Sequence, residues 1–145
     1  MDHIPTSRFE VVCDGSLLHR SQTGGWAAQV RDLSNASSKP MMKTGAGAAD
    51  DSTEVEMRAM LLGLRSVPKG AHVRLLSDRQ DLVGMLRDGR RHQGRLAGLM
   101  EQIVGECACR RVNPVWVRGH RGHPSHTACD RAALRAALRA ASQLH

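Results

Sequence analysis

The chain has 145 residues, a formal net charge of +7 and a pI near 10.2, which sets one domain (1–145) of ordinary size, with residues 1–7 expected to form a flexible N-terminus. No apolar run approaches the roughly 18 residues of a membrane span, Met1–Arg8 is too polar for a signal peptide, and the four cysteines lack CxxC spacing. A membrane protein and a secreted disulfide scaffold are thereby excluded, and a cytoplasmic monomer with free, buried thiols is expected. The 21 Lys and Arg against 14 Asp and Glu point to a polyanionic partner, because cations that neutralise phosphates release condensed counterions.

Residues 8–17 (RFEVVCDGSL) alternate and are apolar enough for a central strand. Gly24-Gly25 precedes a second strand at 26–31, which completes an opening hairpin, and a third is expected over 39–44 before a Gly/Ala/Asp-rich connection at 45–51. Asp51-Ser52-Thr53 offers helix caps for the apolar series Val55, Ala59, Met60, Leu62 and Leu64, which ends near Pro68. Ala71–Ser77 is a buried strand stopping at Asp78. Residues 80–87 form a short helix ended by Gly89, and 96–109 a longer one. Residues 111–117 form a strand whose Pro114 assigns it to an edge, and the Ala/Leu/Arg-rich tail from 125 to 143 is helical. The order β-β-β-α-β-α-α-β-α implies a mixed sheet with helices on both faces, since parallel neighbours need helical crossovers.

Four carboxylates occupy positions that chemistry would use. Asp14 lies near the end of the first strand, on the side opposite Phe9, Val11 and Cys13; alone, it reads equally as a turn former before Gly15-Ser16. Glu56 shares a helical face with Ala59, Met60 and Gly63, or serves as the partner of Thr53 in a capping box. Asp78 stands at the carboxyl end of a strand, where open α/β sheets place their ligand crevices, or caps the next helix. Asp130 is followed by Leu134 and Leu138 at i+4 and i+8, and so heads the expected packing stripe of the last helix; an ion pair with a buried arginine is the alternative. Brought together, such acids repel one another unless cations neutralise them, and oxygen-only ligands suit Mg²⁺ or Mn²⁺. Two such ions about 3.5–4 Å apart activate water and stabilise a leaving oxygen in phosphodiester displacement. A zinc site from His120, His123, His126 and Cys129, spaced by three, is a competing possibility.

CDGS at 13–16, EVEMRA at 54–59, LLSDRQ at 75–80 and WVRGHRGH…CD at 116–130 resemble type 1 ribonuclease H in order and spacing over nearly the whole chain. The resemblance implies an α/β fold with a five-stranded mixed sheet in the order 3-2-1-4-5, its first three strands antiparallel. It also implies an endonuclease that hydrolyses the RNA strand of RNA/DNA hybrids with two Mg²⁺ or Mn²⁺ ions, leaving 3′-hydroxyl and 5′-phosphate ends. Position by position, Asp14, Glu56, Asp78 and Asp130 match the metal-binding carboxylates, and His120 the mobile-loop histidine that assists proton transfer or product release. Imidazole near pKa 6.5 suits that work, and Gly119 and Gly122 give its loop freedom.

The departures concern substrate grip. Arg20 stands where the family's minor-groove asparagine is usual, Asp51 where a phosphate-contacting threonine is favoured, and His126 where Asn is common. The segment between Asp78 and Trp116 is too short for the basic handle of some members. Gly15, Ser16, Arg20, Gln80, Arg87, Arg90, Arg91 and Arg95 are the expected substrate contacts. These departures leave two alternatives: a nuclease of the same fold acting on double-stranded RNA or a DNA junction, and a non-catalytic nucleic-acid-binding or assembly domain.

Overall fold

A computed structural model of the chain describes residues 7–118 and 123–143. Three strands, β1 (Arg8–Leu18), β2 (Thr23–Asp32) and β3 (Met41–Ala48), form an antiparallel meander. Helix α1 (Ser52–Arg65) crosses to β4 (His72–Ser77), which pairs parallel with β1. Helix α2 (Gln80–Asp88), a 3₁₀ turn at Gly94–Leu96 and α3 (Ala97–Ala108) lead to β5 (Arg111–Trp116), parallel to β4, and α4 (Pro124–Ser142) closes the chain. The sheet order is β3-β2-β1-β4-β5, as the resemblance implies. No helix among the described residues is long and apolar enough to cross a membrane.

Two small-residue segments behave differently from expectation, and packing explains both. β2 begins at Thr23 rather than at residue 26, so Gly24 and Gly25 are strand and not turn. A Cβ on Gly25 would stand 2.0 Å from the Ala133 carbonyl oxygen, and one on Gly24 2.3 Å from Val55 Cγ1. The glycines therefore let α4 and α1 approach the strand from opposite sides. β3 starts at Met41 and runs through Gly45–Ala48, the stretch expected as a connection. There the Trp26 ring lies where a Gly45 side chain would be, 2.2 Å from its Cβ position.

One face of the sheet packs Val11, Cys13, Val73 and Leu75 against Met57, Met60 and Leu64 of α1 and Met100 and Ile103 of α3. Burying such side chains stabilises the fold by about 1.5–3 kcal/mol each. The other face packs Val12, Ala27 and Leu76 against Cys129 and Ala133 of α4. This corrects the stripe expected for the last helix. Its buried line is His126, Cys129, Ala133 and Ala137, while Leu134 and Leu138 are 41% and 51% exposed. Helix and strand approach too closely at Gly25 for leucine, so alanine occupies the seam and Asp130 falls beside it, half-buried. The thiols are free, but Cys109 is exposed rather than buried. Pro114 lies on the edge strand as expected, and the Arg87 guanidinium donates to its carbonyl oxygen at 2.8 Å.

Candidate active site

Asp14 leaves β1 on the α4 side of the sheet, and Asp78 follows the last residue of β4 on the same side. α4 inserts the imidazole of His126, fully buried, between them: Nε2 lies 3.8 Å from Asp14 Oδ2 and 3.6 Å from Asp78 Oδ2. One ligand atom from each of the three residues falls within 4.8 Å of the others. Trp116, 41% exposed, donates its indole N–H to the Asp78 carbonyl at 3.2 Å and so fixes the backbone that carries this acid.

Glu56 arrives from α1. The helix is capped by Asp51, whose side chain accepts from the Glu54 N–H at 2.9 Å, while Glu54 Oε1 accepts from the Asp50 N–H at 3.1 Å. The capping role considered for Glu56 with Thr53 thus belongs to Glu54 with Asp51, and Glu56 is left to face the strand ends. Its Oε1 accepts from the Gly15 N–H at 2.9 Å. A Cβ on Gly15 would stand 2.7 Å from Val55, so glycine is what lets α1 come this close. Asp78 does not cap the next helix; Arg79 holds that position and no side chain closes it.

Burial raises the pKa of Asp14, with hydrogen bonding from Glu56 and the His126 charge pulling it back and the Asp78 charge adding to the rise. Glu56 is pushed well above the carboxylate range by burial, by its hydrogen bond with Asp14 and by the charges of Asp14 and Asp78. Among the described residues, no donor reaches Asp14 Oδ2 or Glu56 Oε2. Buried carboxylate oxygens without donors fit a divalent cation, which neutralises their repulsion and supplies the missing partners.

The other expected site residues fall around this centre. Asp130 sits one helical turn beyond His126, outside the three-residue group. His120 lies outside the described residues. Gly15 and Ser16 follow Asp14 in β1, Arg20 is exposed in the β1–β2 turn, and Gln80 is exposed at the start of α2. The arginines of 87–95 are engaged within the protein. Arg87 bonds to Pro114; Arg90 pairs with Asp88 at 3.2 Å and Arg91 with Glu101 at 3.2 Å. Arg95 reaches Asp50, Asp51 and Glu54 at 3.2, 2.8 and 2.7 Å. Cys129 donates to the Val12 carbonyl at 3.1 Å with its thiol pushed up to about 12 by burial, and His123 accepts from the His126 N–H as the cap of α4. Among the described residues, His123, His126 and Cys129 form no common ligand group; His120, the fourth member of the zinc set, lies outside them.

His126 is the residue that sequence reasoning undervalued. It was visible as a departure from the family pattern, and the signal that would have promoted it is its i+3 relation to the buried Cys129.

Acids set just beyond the parallel pairing of β1 with β4, Asp14 buried and Asp78 half-buried, with a helix behind each face, define a carboxylate-centred α/β enzyme site. The RNase H family model matches residues 6–138, and the chain belongs to that family, as an enzyme of the ribonuclease H type that acts on phosphodiester bonds. Ribonuclease H of Geotalea uraniireducens is 30% identical, covering 90% of this chain and 94% of the relative. Ribonuclease H of Thermus thermophilus is 31% identical over 94% of this chain and 88% of its own length. Among solved structures, LC9-RNase H1, a type 1 RNase H with the type 2 active-site motif, superposes with a TM-score of 0.79 at 21% identity, over 95% of this chain and 75% of that one. The N-terminal RNase H domain of a Mycobacterium tuberculosis protein gives 0.78 at 20% identity, over 95% and 98%. Both share the fold.

Proposed function

We propose that this protein hydrolyses the RNA strand of RNA/DNA hybrids with two divalent ions, leaving 3′-hydroxyl and 5′-phosphate ends. The observation that carries the proposal is the meeting of Asp14 and Asp78 with His126, and the approach of Glu56 to the same two acids, with buried oxygens on Asp14 and Glu56 that lack donors among the described residues. Asp14, Glu56, Asp78 and His126 would hold metal, with Asp130 completing the set from the next turn of α4. Bound there, the metal supplies Lewis acidity and a water of lowered pKa. The chain's own part is to orient the acids, ionisation being favoured by the cation: Gly15 N–H fixes Glu56, Trp116 fixes the Asp78 backbone, and α4 brings His126 against Asp14 and Asp78. His120 would assist proton transfer or product release.

An imidazole among the carboxylates supports Mn²⁺ over Mg²⁺, since nitrogen ligands suit Mn²⁺ better than the harder ion. Gly15, Ser16, Arg20 and Gln80 are left to meet the substrate directly. Arg95 acts at one remove, neutralising three acids at the start of α1 that would otherwise repel a phosphate. The described candidate residues come from one sheet and the helices packed against it, which supports a single-domain monomer as the working unit.

Incubating the protein with matched RNA/DNA hybrid, RNA duplex and DNA duplex in Mg²⁺ or Mn²⁺ tests the substrate. Cleavage of the hybrid alone, lost in Asp14→Asn and Asp78→Asn, is the expected result. Cleavage of DNA only, or wild-type-like activity in either variant, overturns the proposal. The acidic start of α1 favours a second reading, a preference for another structured nucleic acid, which cleavage of the RNA duplex in the same panel would establish.

A further inference from the structure

The face of the sheet that holds the acids continues to the opposite end of the strands, and its chemistry changes along the way. Parallel pairing places Arg8, His72 and Arg111 in one row across β1, β4 and β5, and Glu10, Arg74 and Asn113 in the next row on that face. Val12, Leu76 and Val115 follow, and then Asp14 and Asp78. α4 lies over β1, β2 and β3, and the β4–β5 side of the face presents Arg74, Arg111 and Asn113 exposed. Arg8, His72, Arg74 and Arg111, with Asn113 and Leu33, line a cleft of about 430 Å³.

Cations without a carboxylate partner also occur elsewhere among the described residues, Arg31, Arg131, Arg135 and Arg139 for example. What separates this cleft is that β1, β4 and β5 bring two of them, Arg8 and Arg111, into one row at a concave site, away from the paired arginines around α1–α3. Arg58, Arg65, Arg79, Arg90, Arg91, Arg95 and Arg110 each pair with a carboxylate. In the cleft, Glu10 meets Arg74 at 3.5 Å, while Arg8 and Arg111 have no acidic partner among the described residues. Uncompensated guanidinium groups on an open sheet match the bidentate geometry of phosphate oxygens.

We infer that the Arg8–His72–Arg74–Arg111 cleft binds backbone phosphates of the substrate duplex on the flank remote from the scissile bond; this rests on the reading of the protein as a duplex-cutting nuclease. Arg8 and Asp14 are six residue steps apart along β1, about 20 Å at ~3.3 Å per residue. At ~3.4 Å per base step that is about six steps of a duplex. A hybrid extending further than this on the correct side reaches the cleft, and a shorter one does not. The contact is with phosphates, so it is indifferent to sequence and sensitive to salt.

The test compares the wild type with an Arg8→Gln/Arg111→Gln double variant, both side chains being exposed. Binding of fluorescein-labelled hybrids of 8 and 24 base pairs is followed by anisotropy in EDTA across a salt series. For the 24-mer, the variant is expected to bind about tenfold more weakly, with the slope of log K against log [salt] smaller by about 2. For the 8-mer, both proteins bind alike. Equal losses at both lengths, or an unchanged slope with the 24-mer, overturn the inference; an acidic protein as the true occupant would give the second pattern. Binding is read without turnover, so failure of the nuclease reading shows separately, as intact hybrid in the substrate panel while the length-dependent loss is still seen.

Discussion

Two positions apart on α1, Glu54 and Glu56 are buried to nearly the same degree, 6% and 5% exposed, yet their surroundings push them in opposite directions. Glu54 accepts from the Asp50 N–H and from the guanidinium groups of Arg58 and Arg95, which together outweigh its burial and hold its carboxyl below the usual range. Glu56 receives the Gly15 N–H and otherwise faces Asp14 and Asp78, so it is pushed well above that range. The helix is therefore finished at its N-terminal corner and unfinished one half-turn later. A buried acid with its donors in place is structure; one held against other acids requires a cation that the chain does not provide.

That contrast predicts a double dissociation. Glu56→Gln should lower hybrid cleavage by about 10³-fold, ~4 kcal/mol of lost transition-state stabilisation, while thermal unfolding of the metal-free protein holds or improves because a repulsive charge is gone. Cleavage at wild-type rates by a folded Glu56→Gln protein would remove Glu56 from the site. His126 sharpens the same side: His126→Asn should weaken Mn²⁺ binding by calorimetry about tenfold and Mg²⁺ binding less, since only the former gains much from nitrogen. Equal losses for the two ions would make His126 a packing residue. Glu54→Gln belongs to the other side and should cost about 1 kcal/mol in urea unfolding, with kcat in saturating metal unchanged. Should it abolish turnover while stability stays intact, the division between the two glutamates is wrong.

The sequence made this fold legible because its periodicities are clean: alternation in β1, the apolar run of β4 and the helical spacing of α1 all survive in the structure. Boundaries failed where small residues serve packing instead of turns. Gly24, Gly25 and Gly45 read as punctuation, but they are strand positions that a helix or an indole approaches too closely for a side chain. The same proximity hid the buried line of α4, since Cys129, Ala133 and Ala137 look weaker than Leu134 and Leu138 until the distance to β2 is known. At the site, the positions of the acids along the chain were readable, but their partners were not. Whether a carboxylate meets an arginine or another carboxylate depends on side chains from distant segments, as the 41-residue span between Arg95 and Glu54 shows.

The smallest effect expected is the most direct measure of that difference, because it reads protons rather than activity. Glu56, with its raised pKa, binds a proton more tightly when folded. Its contribution to stability is present in full below the ordinary carboxylate pKa and is lost as pH rises through the raised value. Glu54 and Asp51, held low, contribute above the ordinary value and lose that contribution as pH falls through their lowered ones. Metal-free protein followed by calorimetry from about pH 3 to about pH 8 should therefore lose stability at both ends, each slope below about 1.4 kcal/mol per pH unit for one proton. Glu56→Gln should flatten the loss on the neutral side and leave the acid side alone; Glu54→Gln should do the reverse. Saturating Mn²⁺ should erase the neutral-side loss in the wild type, because a cation stabilises the ionised form that the metal-free fold resists. A neutral-side slope identical in wild type and Glu56→Gln would mean that the acids facing Glu56 do not hold its proton, and the contrast with Glu54 would then be one of position alone.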